Sequence, residues 1–350
     1  MSSPQRRLLR SPYALALLAG TWLACAAPLP GVVADARATG RFLSAADGGR
    51  WVGREAALRR IARADIVLLG EHHDHPAHHV LQARVIDALV ARGRRPVVVF
   101  EMLRADQQPA IDAVLAGATP SAEALRRAVH WDDSGWPPFA LYAPVFDAAL
   151  RHGLPIRAAQ MSRTLSHRLT REGTAALAGV ADADALRAVL TAALPPRAEE
   201  ALRDTLRRGH CGRIRDSMLP RMIEVQRGWD AWMAREAVAA ARRPDVDGAV
   251  LIVGRGHAVR SRAVPFAIAR LGPGLSVSSV GLLEAGPDAT GGNLPAPPAQ
   301  LVRDARDYDL AWVTALIDRP DPCERIPLPP AGGGPETAPH APSGAAPAAG

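Results

Sequence analysis

Asp65-Ile66-Val67-Leu68-Leu69-Gly70-Glu71-His72-His73-Asp74-His75 is the stretch on which the reading of this chain turns. A short apolar run that ends in glycine is the pattern of a strand buried on both faces of a parallel sheet. Glycine lets the backbone turn sharply where the strand stops. Five groups able to bind, donate or accept protons then follow, so the strand end is the first candidate site.

Outward from this strand the chain alternates. Pro76 to Ala91 has helical periodicity through Val80, Leu81, Val85, Ile86 and Leu89, with Pro76 in the first turn. Pro96-Val97-Val98-Val99-Phe100-Glu101 is a second strand. Helical segments are expected near 105–116, 121–130 and 138–152, and a weaker strand over Leu154–Ala158. Residues 160–243 read as a helical insertion or lid whose last helix stops before Pro244. Gly248–Gly254 is a strong strand, followed by a helix over 258–270, a strand over 275–283 and a last strand over Asp309–Leu316. The alternation predicts an α/β fold with a mostly parallel sheet and helices on both faces.

The termini differ from this central region. Arg6, Arg7 and Arg10 precede an uncharged run from Ser11 to Ala27, which reads as a signal peptide over 1–27. Cys25 closes Trp22-Leu23-Ala24-Cys25, which is similar to a lipoprotein cleavage box; ordinary cleavage after Ala24-Cys25-Ala26 is the alternative. Residues 28–50 read as a linker, 51–326 as one domain and 327–350 as a Pro/Ala/Gly-rich disordered tail. An exported chain bound for the cell envelope is expected. Two cysteines then remain, Cys211 and Cys323. An oxidising compartment permits a bridge between them; two unrelated buried thiols are the alternative.

All 42 basic residues are arginine and the net charge is +7. The arginines are scattered and no nucleic-acid motif accompanies them, so no nucleic-acid partner is expected.

In parallel sheets ligands bind beyond the carboxyl ends of strands. Three such ends are polar here: Gly70–His75, Glu101, and Gly254-Arg255-Gly256-His257. Six of the eleven histidines fall in or just after two short loops. Both loops place histidine three residues after glycine. Histidine there can bind metal, move protons or contact a cofactor, and Glu71 or Glu101 can orient an imidazole or act as base. A charge ending a buried strand, as Glu101 does, is costly unless paired or functional. As a hydrolytic centre the expected residues are Glu71, His73, Glu101 and His257. In that reading His73, Glu101 and His257 hold a divalent metal, or a histidine serves as base and Glu101 activates water. His72, His75, His78 and His79 are expected at the periphery. Gln226 and Asp230 share a helix face that turns either to the strand ends or to solvent.

Several of these residues, in order, resemble the ChaN family of haem-binding uptake proteins. The matches are Gly70–Asp74 with His78-His79, Phe100-Glu101-Met102, Gln107, Trp131 and Gly135-Trp136-Pro137. They continue with Tyr142, His210-Cys211-Gly212, Gln226, Asp230, Met233-Ala234, Gly254, Gly256-His257 and Asp321-Pro322-Cys323. The resemblance covers about residues 55–325. Arg255 departs from the pattern, where a small polar residue is usual. The resemblance implies a fold distantly similar to the erythromycin esterases and the Tiki Wnt proteases, which use histidines and a glutamate on similar strand ends for hydrolysis, in the Tiki case with a metal. For the ChaN-like proteins it implies haem binding at the envelope, as a lipoprotein and a homodimer, in the company of haem or iron transport components. It also implies tyrosine on the iron. Tyr13 lies in the signal and Tyr308 near the end, so Tyr142 is the candidate. His73, His257, His210 and Arg163 are the other expected haem contacts, with Arg163 placed to meet a carboxylate or propionate. A hydrolase using the same strand ends, and a scaffold that keeps the pocket without chemistry, are the alternatives.

Overall fold

The structure, a computed structural model, describes residues 41–286 and 296–324. The expected signal peptide with Cys25 and Tyr13, most of the expected linker, the centre of the 285–298 loop and the expected 327–350 tail lie outside the described residues.

The described strands are β1 (Arg41–Ser44), β2 (Arg50–Val52), β3 (Ile66–Glu71), β4 (Val97–Arg104), β5 (Ile156–Gln160), β6 (Ala249–Gly254), β7 (Val277–Ala285) and β8 (Leu310–Ala315). The described helices are α1 (Arg54–Ile61), α2 (Pro76–Val90), α3 (Gln108–Leu115), α4 (Ala122–Ala128), α5 (Phe139–Arg151), α6 (Arg163–Glu172), α7 (Ala183–Thr191), α8 (Pro196–Gly209), α9 (Leu219–Ala241), α10 (Val264–Leu271) and α11 (Ala299–Ala305). The strands form one sheet in the order β2-β1-β8-β7-β3-β6-β4-β5. It is parallel from β8 to β5, and β1 pairs antiparallel with both β8 and β2.

Strand alternation distributes the core. Val67, Leu69, Val98, Phe100, Val250 and Ile252 pack against α1 to α5. Their neighbours Ile66, Leu68, Val97, Val99, Leu251 and Val253 pack against α6, α7, α9, α10 and α11. Both faces are therefore apolar, as period-two side chains in a doubly covered sheet require. The helical insertion lies between β5 and β6. Its longest helix, α9, contributes Ala231, Met233, Ala234, Ala237 and Val238 directly to the sheet-packed layer.

Two expectations are corrected. Residues 41–50 are not linker: β1, and β2 that begins at Arg50, extend the sheet at one edge. Phe42 meets Trp312 with ring centroids 4.4 Å apart, and Leu43 enters the opposite core layer. Strands of three or four residues are too short to print a period. The helix expected over 258–270 begins only at Val264, because a 3-10 turn over Arg255–Ala258 follows Gly254. Cys211 and Cys323 form a disulfide.

Register positions the site. β6 returns between β3 and β4, so three strand ends lie side by side. Glu71 of β3 is in register with Gly254 of β6, and Phe100 of β4 with Ile252. Glu71, Glu101 and the start of the Gly254–His257 loop thus meet at one level.

Candidate functional site

Glu71 is the hub of the first half. The Tyr142 hydroxyl donates to its Oε1 at 2.7 Å, and His73 Nδ1 lies 2.9 Å from the same oxygen. His79 Nδ1 lies 3.0 Å from Oε2 but without hydrogen-bond alignment. Its Nε2 meets His73 O at 3.1 Å. Burial alone would raise the Glu71 pKa. The close His79 and the hydrogen bond from His73 outweigh it and hold the carboxyl at about 2. Burial likewise works against a charged His73, yet Glu71 and Glu101 together raise its pKa. The imidazole keeps 13% of its side chain exposed and meets the Trp136 ring edge-on at 4.9 Å.

The second half is a carboxylate–histidine–carboxylate row. Glu101 Oε2 accepts from Gly254 N–H at 2.6 Å, and Oε1 lies 3.4 Å from His257 Nε2. On the other ring nitrogen, His257 Nδ1 is 2.7 Å from Asp230 Oδ1. Gln226 Nε2 stands 3.3 Å from the same nitrogen. Burial opposes charge on His257, but Glu101 and Asp230 prevail and its pKa is pushed up to about 9. Burial raises Asp230 in turn, with His257 working against it. Each of these two histidines is therefore oriented through Nδ1 by its own carboxylate, Glu71 or Asp230, which fixes the ring. Such a pair, one with a narrow exposed edge and one held cationic, can pass a proton, present a nitrogen to a ligand, or steady an anion.

A third group lies alongside. His72 Nε2 and His75 Nε2 lie 3.5 Å and 3.2 Å from the two oxygens of Glu284. His75 and His78 stack at 4.0 Å with an interplanar angle of 1°. His78 Nδ1 accepts from His72 N–H at 2.9 Å and its Nε2 meets Thr314 Oγ1 at 3.0 Å. His75 Nδ1 accepts from Ala77 N–H at 3.2 Å, capping α2. Burial lowers all three, and with Arg255 and Arg319 nearby it brings His72 to about 3.

The structure thus brings together Glu71, His73, Glu101 and His257, as the two glycine-to-histidine loops led one to expect. Among the described residues, however, no three His, Cys, Asp or Glu side chains are spaced to hold a metal ion. The expected set of His73, Glu101 and His257 is joined by charge: His257 Nε2 lies 3.4 Å from Glu101 Oε1, and the Glu101 charge acts on His73. Tyr142 enters the cluster as a fully buried donor. Burial and Glu71 raise its pKa well above the ordinary value, so this arrangement does not offer a phenolate at an open face. His210 stands apart at the end of α8, with Nδ1 2.8 Å from Leu206 O of its own helix. Arg163 is exposed in the first turn of α6. Trp131 is core, its Nε1–H donating to Pro137 O at 2.9 Å.

Sequence reasoning placed His79 at the periphery, and it proved central. Glu284 and Arg319 were not foreseen. A carboxylate closing an apolar strand, the same signal that marked Glu101, would have found Glu284.

A strand-end site of buried histidines and carboxylates on a doubly covered α/β sheet defines the class. The family model described as "Haem-binding uptake, Tiki superfamily, ChaN" matches residues 57–268, more than half of the chain, and the protein belongs to that family. The structure reported for cofacial heme binding to ChaN of Campylobacter jejuni shares the fold with a TM-score of 0.58 at 19% identity, covering 78% of this chain and 96% of that one. The type III effector HopBA1 aligns at 0.40, with 11% identity over 75% of this chain and 92% of that one. An erythromycin esterase mutant, EreC in its open conformation, aligns at 0.39, with 14% identity over 75% and 79%. Scores this low do not bear on the site. No curated protein matches the chain.

Proposed function

We propose that this protein binds haem and handles it at the cell envelope for iron uptake, as an exported lipoprotein acting as a homodimer with transport partners. Membership of the haem-binding family carries the reading. The basic, then apolar N-terminus and Cys25 support export and anchoring. Among the groups expected to contact haem, His73 suits it best. It is the imidazole of the central cluster with an exposed edge, it is braced by Glu71, and Trp136 flanks it. Bound haem would supply iron ligation chemistry; His73 would offer an imidazole nitrogen, and Glu71 would hold that ring in place. Titrating the purified protein with haemin tests the reading. A saturable Soret shift near one haem per chain is expected, and a spectrum equal to free haemin at every ratio would overturn it.

A second reading, hydrolysis at the same strand ends, is favoured by one observation: His257 is held cationic between Glu101 and Asp230 while His73 is braced by Glu71. This is an acid and base arrangement. Turnover of simple carboxylic esters that disappears in Glu101→Gln would support it. Elemental analysis of protein purified without chelators would show whether a divalent metal takes part. No turnover and no stoichiometric metal would remove this reading.

A further inference from the structure

Residues 316–324 leave the end of β8 and are tied to the body at three successive points. Leu316 N–H donates to Ala285 O at 2.9 Å. Arg319 then grips carboxylates from two different elements. Its Nε meets Asp74 Oδ2 at 2.7 Å, in the loop after β3, and its Nη1 meets Glu284 Oε2 at 2.8 Å, in β7. Finally Cys323 is bridged to Cys211, just beyond α8. Pro320 and Pro322 restrict the backbone between the last two ties. The strap therefore runs from the sheet to the helical insertion, and the disulfide fastens its far end.

Beneath it lie the side chains of His72, His75 and Glu284, each less than a tenth exposed. Two polar atoms there are buried without a hydrogen-bond partner: Glu284 Oε1 and Arg319 Nη2. Orphaned polar atoms are scarce in permanent cores. They are less surprising under a segment that also has an open state, in which water satisfies them. Arg319 is also what balances Glu284. Without it a buried carboxylate faces imidazoles that burial keeps neutral, an arrangement that is costly until water enters.

We propose that residues 316–324 form a thiol-released cover over the His72–His75–Glu284 face, with the Cys211–Cys323 disulfide as its latch. A dithiol reductant supplies two electrons and two protons. Its two S–H groups become one S–S bond, the Cys211–Cys323 bond breaks, and two cysteine thiols form. Both cysteines are partly exposed, and exchange begins with thiolate attack on one of their sulfurs. With the latch cut, the hydrogen bonds and ion pairs that still tie the strap to the body, among the described residues, are those of Arg319 and one backbone bond. The Asp74 pair is open to solvent and correspondingly weak.

Hydrogen exchange read by mass spectrometry on the whole protein, oxidised and after dithiol treatment, tests the proposal. On reduction, amides of 72–75, 284–286 and 316–324 should exchange about tenfold faster or more, while those of β4 and β6 stay unchanged. Cys323→Ser should show the same pattern without reductant. Arg319→Ala, still oxidised, should loosen 72–75 and 284 but leave 322–324 protected. Unchanged exchange on reduction would overturn the proposal. So would equal acceleration through β4 and β6, because the disulfide would then brace the whole fold rather than latch one cover. If Cys323→Ser does not accumulate as folded protein, the reduced wild-type chain still gives either answer.

Discussion

Gly254 and His73 are so close that a methyl group on Gly254 would come within 2.7 Å of the His73 Nε2. Any side chain there must move the imidazole, which is pinned on its far side by Glu71. Gly254→Ala should therefore displace His73 and weaken haemin binding at least about tenfold, at a stability cost of roughly 1–3 kcal/mol for overpacking. Haemin titration and thermal melting of the same sample check both parts. Unaltered affinity would show that His73 placement does not govern binding.

His73→Ala and Tyr142→Phe should part company in the haemin titration. The alanine variant removes the imidazole with the exposed edge and should lose most of the Soret shift. The phenylalanine variant removes one buried hydroxyl from Glu71 and should retain binding within a few fold, because the hydroxyl has no open face. The reverse ranking would assign the ligand to Tyr142.

Glu71→Gln removes the anion that His73 and His79 face and that Tyr142 donates to. The His73 pKa, raised in the native protein mainly against its own burial, should fall below the ordinary 6.5. An NMR titration of the imidazole follows this directly. Breaking a buried charged network of this kind costs about 3 kcal/mol in a denaturant melt.

Stability should peak near pH 6.5. His257, held up to about 9 against 6.5 when unfolded, contributes fully below pH 6.5 and loses its contribution as pH rises toward 9. His72, held down to about 3, contributes above pH 6.5 and loses it as pH falls. Glu71, at about 2 against 4.5, adds a further loss below pH 4.5. Thermal melts across pH 4 to 9 should flatten on the alkaline side in His257→Gln and keep their acid slope. An unchanged alkaline limb would place the charge elsewhere.

Phe146→Ala should cost about 3–5 kcal/mol, since the ring is fully buried. It stacks on Phe100 at 4.4 Å and meets Trp131 edge-on at 5.9 Å, so it supports both β4 and the layer under Tyr142. Denaturant unfolding measures the loss.

Much of the frame was legible in the residues alone. β3, β4 and β6 are unbroken apolar runs, and a run of that kind has few other ways to bury itself. Pro76 and the periodic apolar positions behind it marked α2. Gly70 to His73 and Gly254 to His257 showed two loops of one form, and Glu101 stood out as a charge after four apolar residues. β1 and β2 were not legible, because strands of three or four residues carry too little pattern and owe their place to pairing with β8. The partners Glu284 and Arg319 were hidden for a related reason: Glu284 approaches His72 and His75 from more than 200 residues away in sequence.

The sequence by itself determined the strand-end loops, the glycines that turn them, and the kinds of side chain they present, because period, composition and turn chemistry are local. Tertiary structure alone decided which of those side chains face one another. β6 returns between β3 and β4, and its register sets Gly254 opposite Glu71 and lets Glu101 reach Gly254 N–H and His257. Proton affinities follow from those distances and from burial, so His257 rises, His72 falls and Tyr142 becomes a closed donor. The two glycine-to-histidine loops could be read as alike, but only the packing left one histidine a narrow exposed edge and made the other a buried cation.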